Sequence, residues 1–114
     1  MPYLKIQTNL PVSDEHRRAI LKKSSALVSS ELGKSEEFAM IALEPQVAMC
    51  FAGSEEPVAF MELKSIGLPA GKTKSLSKVL CELIEEELSI PKHRVYVKFI
   101  DVNRSMWGWK GDTF

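Results

Sequence analysis

The second residue of the chain, Pro2, is a candidate base if the methionine before it is removed. An initiator methionine is normally removed when so small a residue follows, and its removal leaves a secondary amine. An α-amino group has a pKa of about 8, which burial or a nearby cation lowers. A neutral amine in a pocket is a competent general base, worth about 10²- to 10⁴-fold in rate. If Met1 is retained, the Pro2 nitrogen is an amide, and Met1-Pro2 merely starts an edge strand, where proline is tolerated.

Two lysine-containing segments are candidates for binding an anion. Lys34 directly follows Gly33 at a predicted helix end. It either complements the negative end of the helix dipole or projects into a pocket and binds a carboxylate. The segment 64–72 (KSIGLPAGK) resembles a phosphate loop only loosely, because it lacks the required glycine spacing, and we expect no nucleotide there. A glycine loop after a strand can instead offer backbone amides to a small anion.

Large aromatic residues and two glycines mark the C-terminal segment 106–114 (MWGWKGDTF). These aromatic side chains suit either a subunit contact or the wall of an aryl-binding pocket. The sequence has no metal-ligand spacing, no Ser-His-Asp set and no dinucleotide fingerprint. We therefore predict neither a metal nor another cofactor.

The cysteines and histidines are predicted to be structural or surface residues. Cys50 and Cys81 form no CxxC or zinc-ligand spacing, and free cysteine is among the most buried residue types, so both are predicted core residues. His16 and His93 are isolated in the sequence, and both are predicted to be solvated surface residues.

Length and charge limit the expected partners. A chain of 114 residues fits one domain, and 15 Lys and Arg residues balance 15 Asp and Glu residues. Phosphate binding relies on surplus basic residues, so neither nucleic acid nor an anionic membrane is an expected partner. No apolar run approaches the roughly 18 residues that span a bilayer, and no signal peptide is evident, so the cytoplasm is the predicted location.

The first half of the chain predicts a strand, a helix and two further strands. Tyr3–Thr8 alternates apolar and polar residues, as a half-buried strand does. Ser13 is the expected N-cap of a helix that Gly33 ends. The apolar run Phe38–Leu43 indicates a strand covered on both faces, and a further short strand is expected over Val47–Phe51.

The second half repeats this pattern. Pro57–Ile66 is a predicted strand, an amphipathic helix ended by Pro91 follows the glycine loop, and Val95–Val102 is a predicted long strand. Residues 1–55 and 56–114 therefore predict two pseudo-symmetric βαβ units in an α/β (α+β) sandwich. It has a four-stranded mixed sheet with both helices on one face, plus short edge strands. Because the strands read as apolar on both sides, the open face is expected to pack on a partner subunit.

Taken together, these segments resemble the macrophage migration inhibitory factor (MIF) family of the tautomerase superfamily. The pieces that carry the resemblance run in order along the chain: Met1-Pro2, Thr8-Asn9, Gly33-Lys34, Gly53-Ser54, Glu56-Pro57, Ser65-Ile66-Gly67, Arg94-Val95-Tyr96, Gly108-Trp109 and Thr113-Phe114. The resemblance implies one MIF-like tautomerase domain, a homotrimer whose sheets form a central barrel, and active sites at subunit interfaces. It also implies keto–enol tautomerisation of phenylpyruvate-type 2-keto acids and, as in several members, of dopachrome analogues.

The resemblance also implies roles for individual residues. Pro2 would be the catalytic acid/base. Lys34 would bind the substrate carboxylate, assisted by the backbone amide of Ile66, with Ser65 beside it. The residues implied around the aryl group are Tyr3 at the pocket mouth, Tyr96 from a neighbouring subunit, Trp107, Trp109 and Phe114.

Three features depart from the family pattern. Lys98 stands where well-known members carry an asparagine that touches a substrate hydroxyl, which predicts a preference for acidic substrates or a further lowered pKa of Pro2. Ser35 replaces the usual proline after Lys34, which predicts a less rigid loop. Residues 58–61 replace the family's occasional Cys-x-x-Cys, which predicts no thiol oxidoreductase activity.

Two classes of function follow from the sequence. The first is an isomerase whose partner is a small aromatic 2-keto acid, or an enzyme of another proton transfer on such an acid. The alternative is a cytokine-like or other protein-binding module with a vestigial tautomerase pocket. The sequence identifies no surface for a protein receptor.

Overall fold

Four strands form one mixed sheet, and two helices cover one of its faces. The computed structural model describes residues 1–114. The strands are β1 (Tyr3–Thr8), β2 (Met40–Glu44), β3 (Ala59–Ile66) and β4 (Val95–Val102), in the sheet order β2-β1-β3-β4. The helices are α1 (Asp14–Leu32) and α2 (Thr73–Leu88). Short 3₁₀ turns lie at Glu36–Phe38, Ala70–Lys72, Lys92–Arg94 and Arg104–Met106.

Each helix connects two parallel strands. β1 pairs in parallel with β2, and β3 pairs in parallel with β4, whereas the central strands β1 and β3 run antiparallel. Two β-α-β units thus lie with their first strands side by side, and the predicted α+β fold with both helices on one face is confirmed. A small C-terminal hairpin of β5 (Gly108–Trp109) and β6 (Asp112–Thr113) follows the sheet.

The two ends of α1 form as its sequence predicts. The Ser13 hydroxyl accepts a hydrogen bond from the His16 amide at 3.2 Å, which satisfies one of the free donors of the first turn. Gly33 ends the helix in the left-handed conformation, with φ of 62°. The next residue, Lys34, donates its amide to the Ser29 carbonyl at 2.9 Å. The direction in which the chain leaves α1 is therefore fixed by hydrogen bonds.

The second helix ends before the proline that was predicted to end it. The last helical residue is Leu88, and Ser89 adopts the left-handed conformation with φ of 56°. The Ser89 amide donates to the Glu85 carbonyl at 3.0 Å. The helix has thus ended before the chain reaches Pro91. The prediction that Pro91 ends the helix is therefore wrong, because the left-handed Ser89 ends it.

The hydrophobic core lies between the sheet and the helices. Every second residue of β1 and β3 is buried, and these positions face α1 and α2. Fully buried core residues include Leu4, Ile6, Ile20, Val28, Met61, Leu63, Leu76, Leu80 and Ile84. Burying one such side chain contributes about 1.5–3 kcal/mol, so this layer sets the stability of the frame that carries the site.

The segment Val47–Phe51 is not a strand, contrary to the prediction. Its one bridge joins Phe51 to Ser54, and residues 47–50 have no regular structure. The Val47 amide donates to the Thr8 carbonyl at the end of β1, at 3.0 Å, but no ladder continues along residues 48–50. Apolar composition alone therefore does not produce a strand there. Cys50 is accordingly exposed, so its predicted burial is wrong.

The other cysteine and the two histidines lie where they were predicted. Cys81 is buried on α2, and its burial raises the pKa of the thiol. His16 and His93 are both exposed. These three residues therefore behave as structural or surface residues.

The sheet face away from the helices mixes apolar with polar residues, so the prediction that it is apolar is wrong in part. Its polar and charged residues are Lys5, Gln7, Glu44, Glu62, Lys64 and Lys98. The Gln7 side-chain amide donates to Glu44 at 2.7 Å, and the Lys5 ammonium lies 3.5 Å from the same carboxylate. The strands alternate between a buried side and a partly open side. Two apolar faces are therefore not available as a reason to expect a partner subunit.

No helix capable of spanning a bilayer is present. Both α1 and α2 fall short of the combined length and hydrophobicity that such a helix requires.

Arg94 ties the loop before β3 to the start of β4. Its side chain is buried, and the guanidinium donates hydrogen bonds of 2.9–3.1 Å to four backbone carbonyls. The acceptors are the carbonyls of Phe51, Ser54, Glu56 and Pro57. A loop without secondary structure of its own is thereby held against the sheet.

Arg94→Met is expected to lower the free energy of unfolding by about 2–4 kcal/mol, because four carbonyls lose their charged donor. Urea unfolding followed by circular dichroism measures this change. Arg18→Met, on an exposed position of α1, is the matched control and is expected to change stability by less than about 0.5 kcal/mol. Small, equal changes in both variants would show that Arg94 does not hold the loop.

Candidate functional site

A cavity of about 540 Å³ opens at the end of the sheet where β1 starts and where β3 and β4 finish. Its volume lies within the range of roughly 300–1,000 Å³ that is usual for small-molecule sites. Ten of its 13 lining residues are hydrophobic. The lining residues are Met1, Tyr3, Glu37, Phe38, Ala39, Met40, Lys64, Val102, Met106, Trp107, Gly108, Trp109 and Phe114.

Phe38, Trp109 and Phe114 form an aromatic wall on this cavity. The rings of Trp109 and Phe114 stack with centroids 5.1 Å apart, and Phe38 meets them edge-on at 5.3 and 6.0 Å. Such pairs contribute about 0.5–1.5 kcal/mol each beyond burial. The hairpin turn at Lys110 and Gly111, both with positive φ, returns the chain so that Phe114 reaches Trp109. The aromatic wall is therefore a preformed apolar surface.

The start of the chain is buried beside this cavity. Pro2 is fully buried, and its carbonyl accepts a hydrogen bond from the Met40 amide at 2.9 Å. Burial, and after it the positive charge of Lys34, lowers the pKa of the Met1 amine. With Met1 in place the Pro2 nitrogen is an amide. Removal of Met1 would transfer the terminal amine to the more deeply buried Pro2.

Lys34 points to β3 rather than back to its own helix. Its Nζ donates to the Ile66 carbonyl at 2.9 Å. The end of α1 is met by a different cation, because Lys72 Nζ donates to the Glu31 carbonyl at 2.7 Å. Of the two interpretations of Lys34, the structure therefore favours the one in which its ammonium projects toward a site. An ammonium has three donors, so two are left for an anion.

Six of the ten predicted site residues do not line the cavity of a single chain, and they are Pro2, Lys34, Ser65, Ile66, Tyr96 and Lys98. Ser65 is fully buried on the helix-facing side of β3, and its hydroxyl has no hydrogen-bond partner. Tyr96 is exposed at the other end of the sheet, with its ring 4.9 Å from that of Phe51. Lys98 lies opposite Glu62 in mid-strand. Contact of Tyr96 and Lys98 with a substrate depends on a second chain and stays a prediction.

Four predicted residues do line the cavity, and they are Tyr3, Trp107, Trp109 and Phe114. Pro2 lies in the chain between the lining residues Met1 and Tyr3. The charge of Lys34, after burial, lowers the pKa of the Met1 amine. The sequence reading missed Phe38, Met40 and Lys64. The predicted strand Phe38–Leu43 includes Phe38, whereas the structure has this residue in a 3₁₀ turn before β2. The parallel pairing of β1 with β2 brings this turn beside the start of the chain, which is the signal that could have located it.

Comparisons with known proteins agree with one another. The profile of the family described as macrophage migration inhibitory factor (MIF) matches residues 1–114. A macrophage migration inhibitory factor homolog of Brugia malayi is 42% identical over 115 residues, covering 100% of this chain and 99% of the relative. The macrophage migration inhibitory factor of Xenopus tropicalis is 36% identical with the same coverage. A crystal structure of a homologue from Prochlorococcus marinus superposes with a TM-score of 0.93, at 37% identity and 98% coverage of each chain.

Lys34→Met is expected to raise the pKa of the terminal amine, in protein prepared with Met1 in place, because it removes a nearby positive charge. Burial remains, so the pKa is expected to stay below 8.0. The pH dependence of N-terminal acylation measures it, since only the neutral amine reacts, and the midpoint should move to higher pH. Lys5→Met, which removes a lysine paired with Glu44, is the control. A midpoint that does not move in Lys34→Met would disprove the coupling.

Proposed function

The chain belongs to the macrophage migration inhibitory factor family, and from this premise we propose that it is a keto–enol tautomerase of phenylpyruvate-type 2-keto acids. The observation that carries the proposal is the terminal amine, whose pKa is lowered by burial and by Lys34 at the edge of an aromatic cavity. Family membership supports an isomerase in general. The proposal adds two specific statements, which are the class of substrate and the role of Pro2 as the base.

In the proposed reaction, removal of Met1 leaves Pro2 with a free secondary amine. The neutral nitrogen takes a proton from the carbon next to the ketone, and negative charge develops on the ketone oxygen. The protonated amine then returns the proton to the oxygen or, in the reverse direction, to the carbon. A base works best when its pKa lies near the operating pH, so a lowered amine pKa suits this step.

Lys34 has two effects in this mechanism. Its ammonium binds the substrate carboxylate with the two donors that the Ile66 carbonyl leaves free, and the Ile66 amide assists. The same charge disfavours protonation of the amine, which keeps more of it neutral. One residue therefore orients the substrate and adjusts the base.

The aromatic wall holds the aryl group of the substrate. Trp109 and Phe114 offer a stacked apolar surface, and Tyr3 and Trp107 border the same cavity. An aryl 2-keto acid has one anionic end and one apolar end, which matches a cavity with a cation at one edge and rings on its wall. This match is the reason for preferring an aryl substrate over a small aliphatic one.

We also propose that the protein is a homotrimer in which a neighbouring subunit completes each site with Tyr96, and that Lys98 lies there too. Tyr96 is exposed at the sheet end opposite its own cavity, and β2 and β4 leave their outer edges unpaired. Unpaired strand edges favour association with another chain. A protein-binding module with a vestigial pocket is the alternative function. Retention of Met1 would favour it, because the Pro2 nitrogen would then be an amide.

Light scattering after size-exclusion chromatography is expected to report three chains per particle. Tyr96→Ala is expected to preserve this assembly and to raise KM for phenylpyruvate, since the ring lies near substrate only across a subunit boundary. A stable monomer that retains full activity would contradict the shared site.

Pro2→Gly is expected to lower kcat by about 100-fold, because the substituted amine loses the fixed ring geometry, whereas Lys34→Ala is expected mainly to raise KM. Enol–keto exchange of phenylpyruvate followed by absorbance measures both, and N-terminal mass spectrometry verifies that Met1 is absent. The matched control inserts one alanine between Met1 and Pro2, which keeps the proline but converts its nitrogen into an amide. Undiminished turnover in the insertion variant would refute Pro2 as the base.

A further inference from the structure

The cation on the cavity wall is Lys64, to which neither the sequence nor the proposed mechanism gives a role. Among the 13 lining residues it is the one with a positively charged side chain, and Glu37 is the one with a carboxylate. Glu37 is exposed on the 3₁₀ turn before β2, whereas Lys64 lies on β3 within the sheet. Lys64 is therefore a second cation, in addition to Lys34, that a cavity-bound molecule can contact.

The charge of Lys64 is incompletely neutralised. Its Nζ lies 3.9 Å from a Glu62 oxygen, which is beyond hydrogen-bonding distance, and the pair is partly exposed. Such pairs contribute about 0–1 kcal/mol. Glu62 also lies between Lys5 on β1 and Lys98 on β4 in the sheet register, so three lysines surround one carboxylate. The ammonium of Lys64 thus keeps donors available for another anion.

A contact with Tyr3 positions the Lys64 side chain at the cavity. Tyr3 is its partner in the register of β1 and β3, and the Lys64 ammonium lies 5.8 Å from the centroid of the Tyr3 ring. That distance is within the range of a cation–π contact, which orients the side chain over the ring. Both residues line the cavity that also carries the aromatic wall.

Lys34 and Lys64 provide two separate positions for anions. Lys34 donates to the backbone carbonyl of Ile66, and Lys64 lies two residues before Ile66 on β3. Alternate residues of a strand are about 6.6 Å apart, so the two anchor points are spaced along the strand. A substrate with one carboxylate bound to Lys34 leaves Lys64 without an anion. A second acidic group on the same molecule would bind to Lys64.

We propose that Lys64 is a specificity-determining residue that binds a second acidic group of the substrate. The preferred substrates are then aryl 2-keto acids with a carboxylate on the ring, rather than phenylpyruvate itself. The identity of the reaction rests on the proposed function. The preference for a second acidic group depends only on the residues of the cavity. Nothing in the proton transfer changes, because Lys64 acts on the end of the molecule away from the ketone.

Binding of two matched ligands that lack the ketone tests the preference without any turnover. They are 3-(4-carboxyphenyl)propanoate, with two charges, and 3-(4-carbamoylphenyl)propanoate, with one. The fluorescence of Trp107 and Trp109 reports binding, because they are the chain's two tryptophans and both line the cavity. The dianion is expected to bind about tenfold more tightly, as a charged hydrogen bond predicts.

Lys64→Met is expected to remove that tenfold preference and to change the affinity for the carbamoyl ligand by less than about twofold. Lys64→Arg is expected to retain the preference, and so is Lys5→Met, which removes a lysine of the same sheet face that is paired with Glu44. Equal affinity of the wild-type protein for both ligands, equal losses in Lys64→Met, or no binding of either ligand would overturn the inference.

Turnover of phenylpyruvate separates this inference from the proposed function. An active enzyme with no preference for the dianion would overturn the role of Lys64 alone. A protein that prefers the dianion but turns over neither phenylpyruvate nor its 4-carboxy derivative would support the role of Lys64 and contradict the tautomerase.

Discussion

The burial of the terminal amine, together with the nearby positive charge of Lys34, is the constraint on which the proposed chemistry depends. A terminal amine usually lies in water, where its pKa is about 8. Here β1 is a central strand, with β2 on one side and β3 on the other, so the start of the chain cannot move freely into solvent. Pro2 is buried and bonded through its carbonyl to Met40. The left-handed turn at Gly33 then directs Lys34 to β3, beside that amine.

The apolar part of the site depends on two other segments that reach the same sheet end. The turn before β2 contributes Phe38, and the C-terminal hairpin contributes Trp109 and Phe114. Neither segment is part of the hydrophobic core, so the cavity can vary in its lining while the sheet and helices stay the same. The sheet and helices position the terminal amine and Lys34. The residues that line the cavity, including Lys64, are the ones through which a preference among substrates can be set.

The parts of the fold that follow from local chemistry could be predicted from the sequence. The alternation in β1, the Ser13 cap and the Gly33 stop each depend on a few neighbouring residues. The segment Val47–Phe51 could not be predicted in the same way, because a strand needs a partner and composition does not reveal whether one is present. Only part of the site could be predicted, because the rest depends on which strands pair. Aromatic residues at the C-terminus were visible, but the contribution of Lys64 required the register that places it beside Tyr3.

The central claim is that the mature chain begins with an uncharged proline amine held next to a lysine. The most direct measurement is a pH titration of the Pro2 nitrogen by nuclear magnetic resonance, with ¹⁵N-labelled proline in the mature protein. The account predicts a titrating secondary amine whose pKa lies below the usual value of about 8 for an α-amino group. A Pro2 nitrogen that does not titrate, as expected of an amide, or one whose pKa lies above 8, would contradict it.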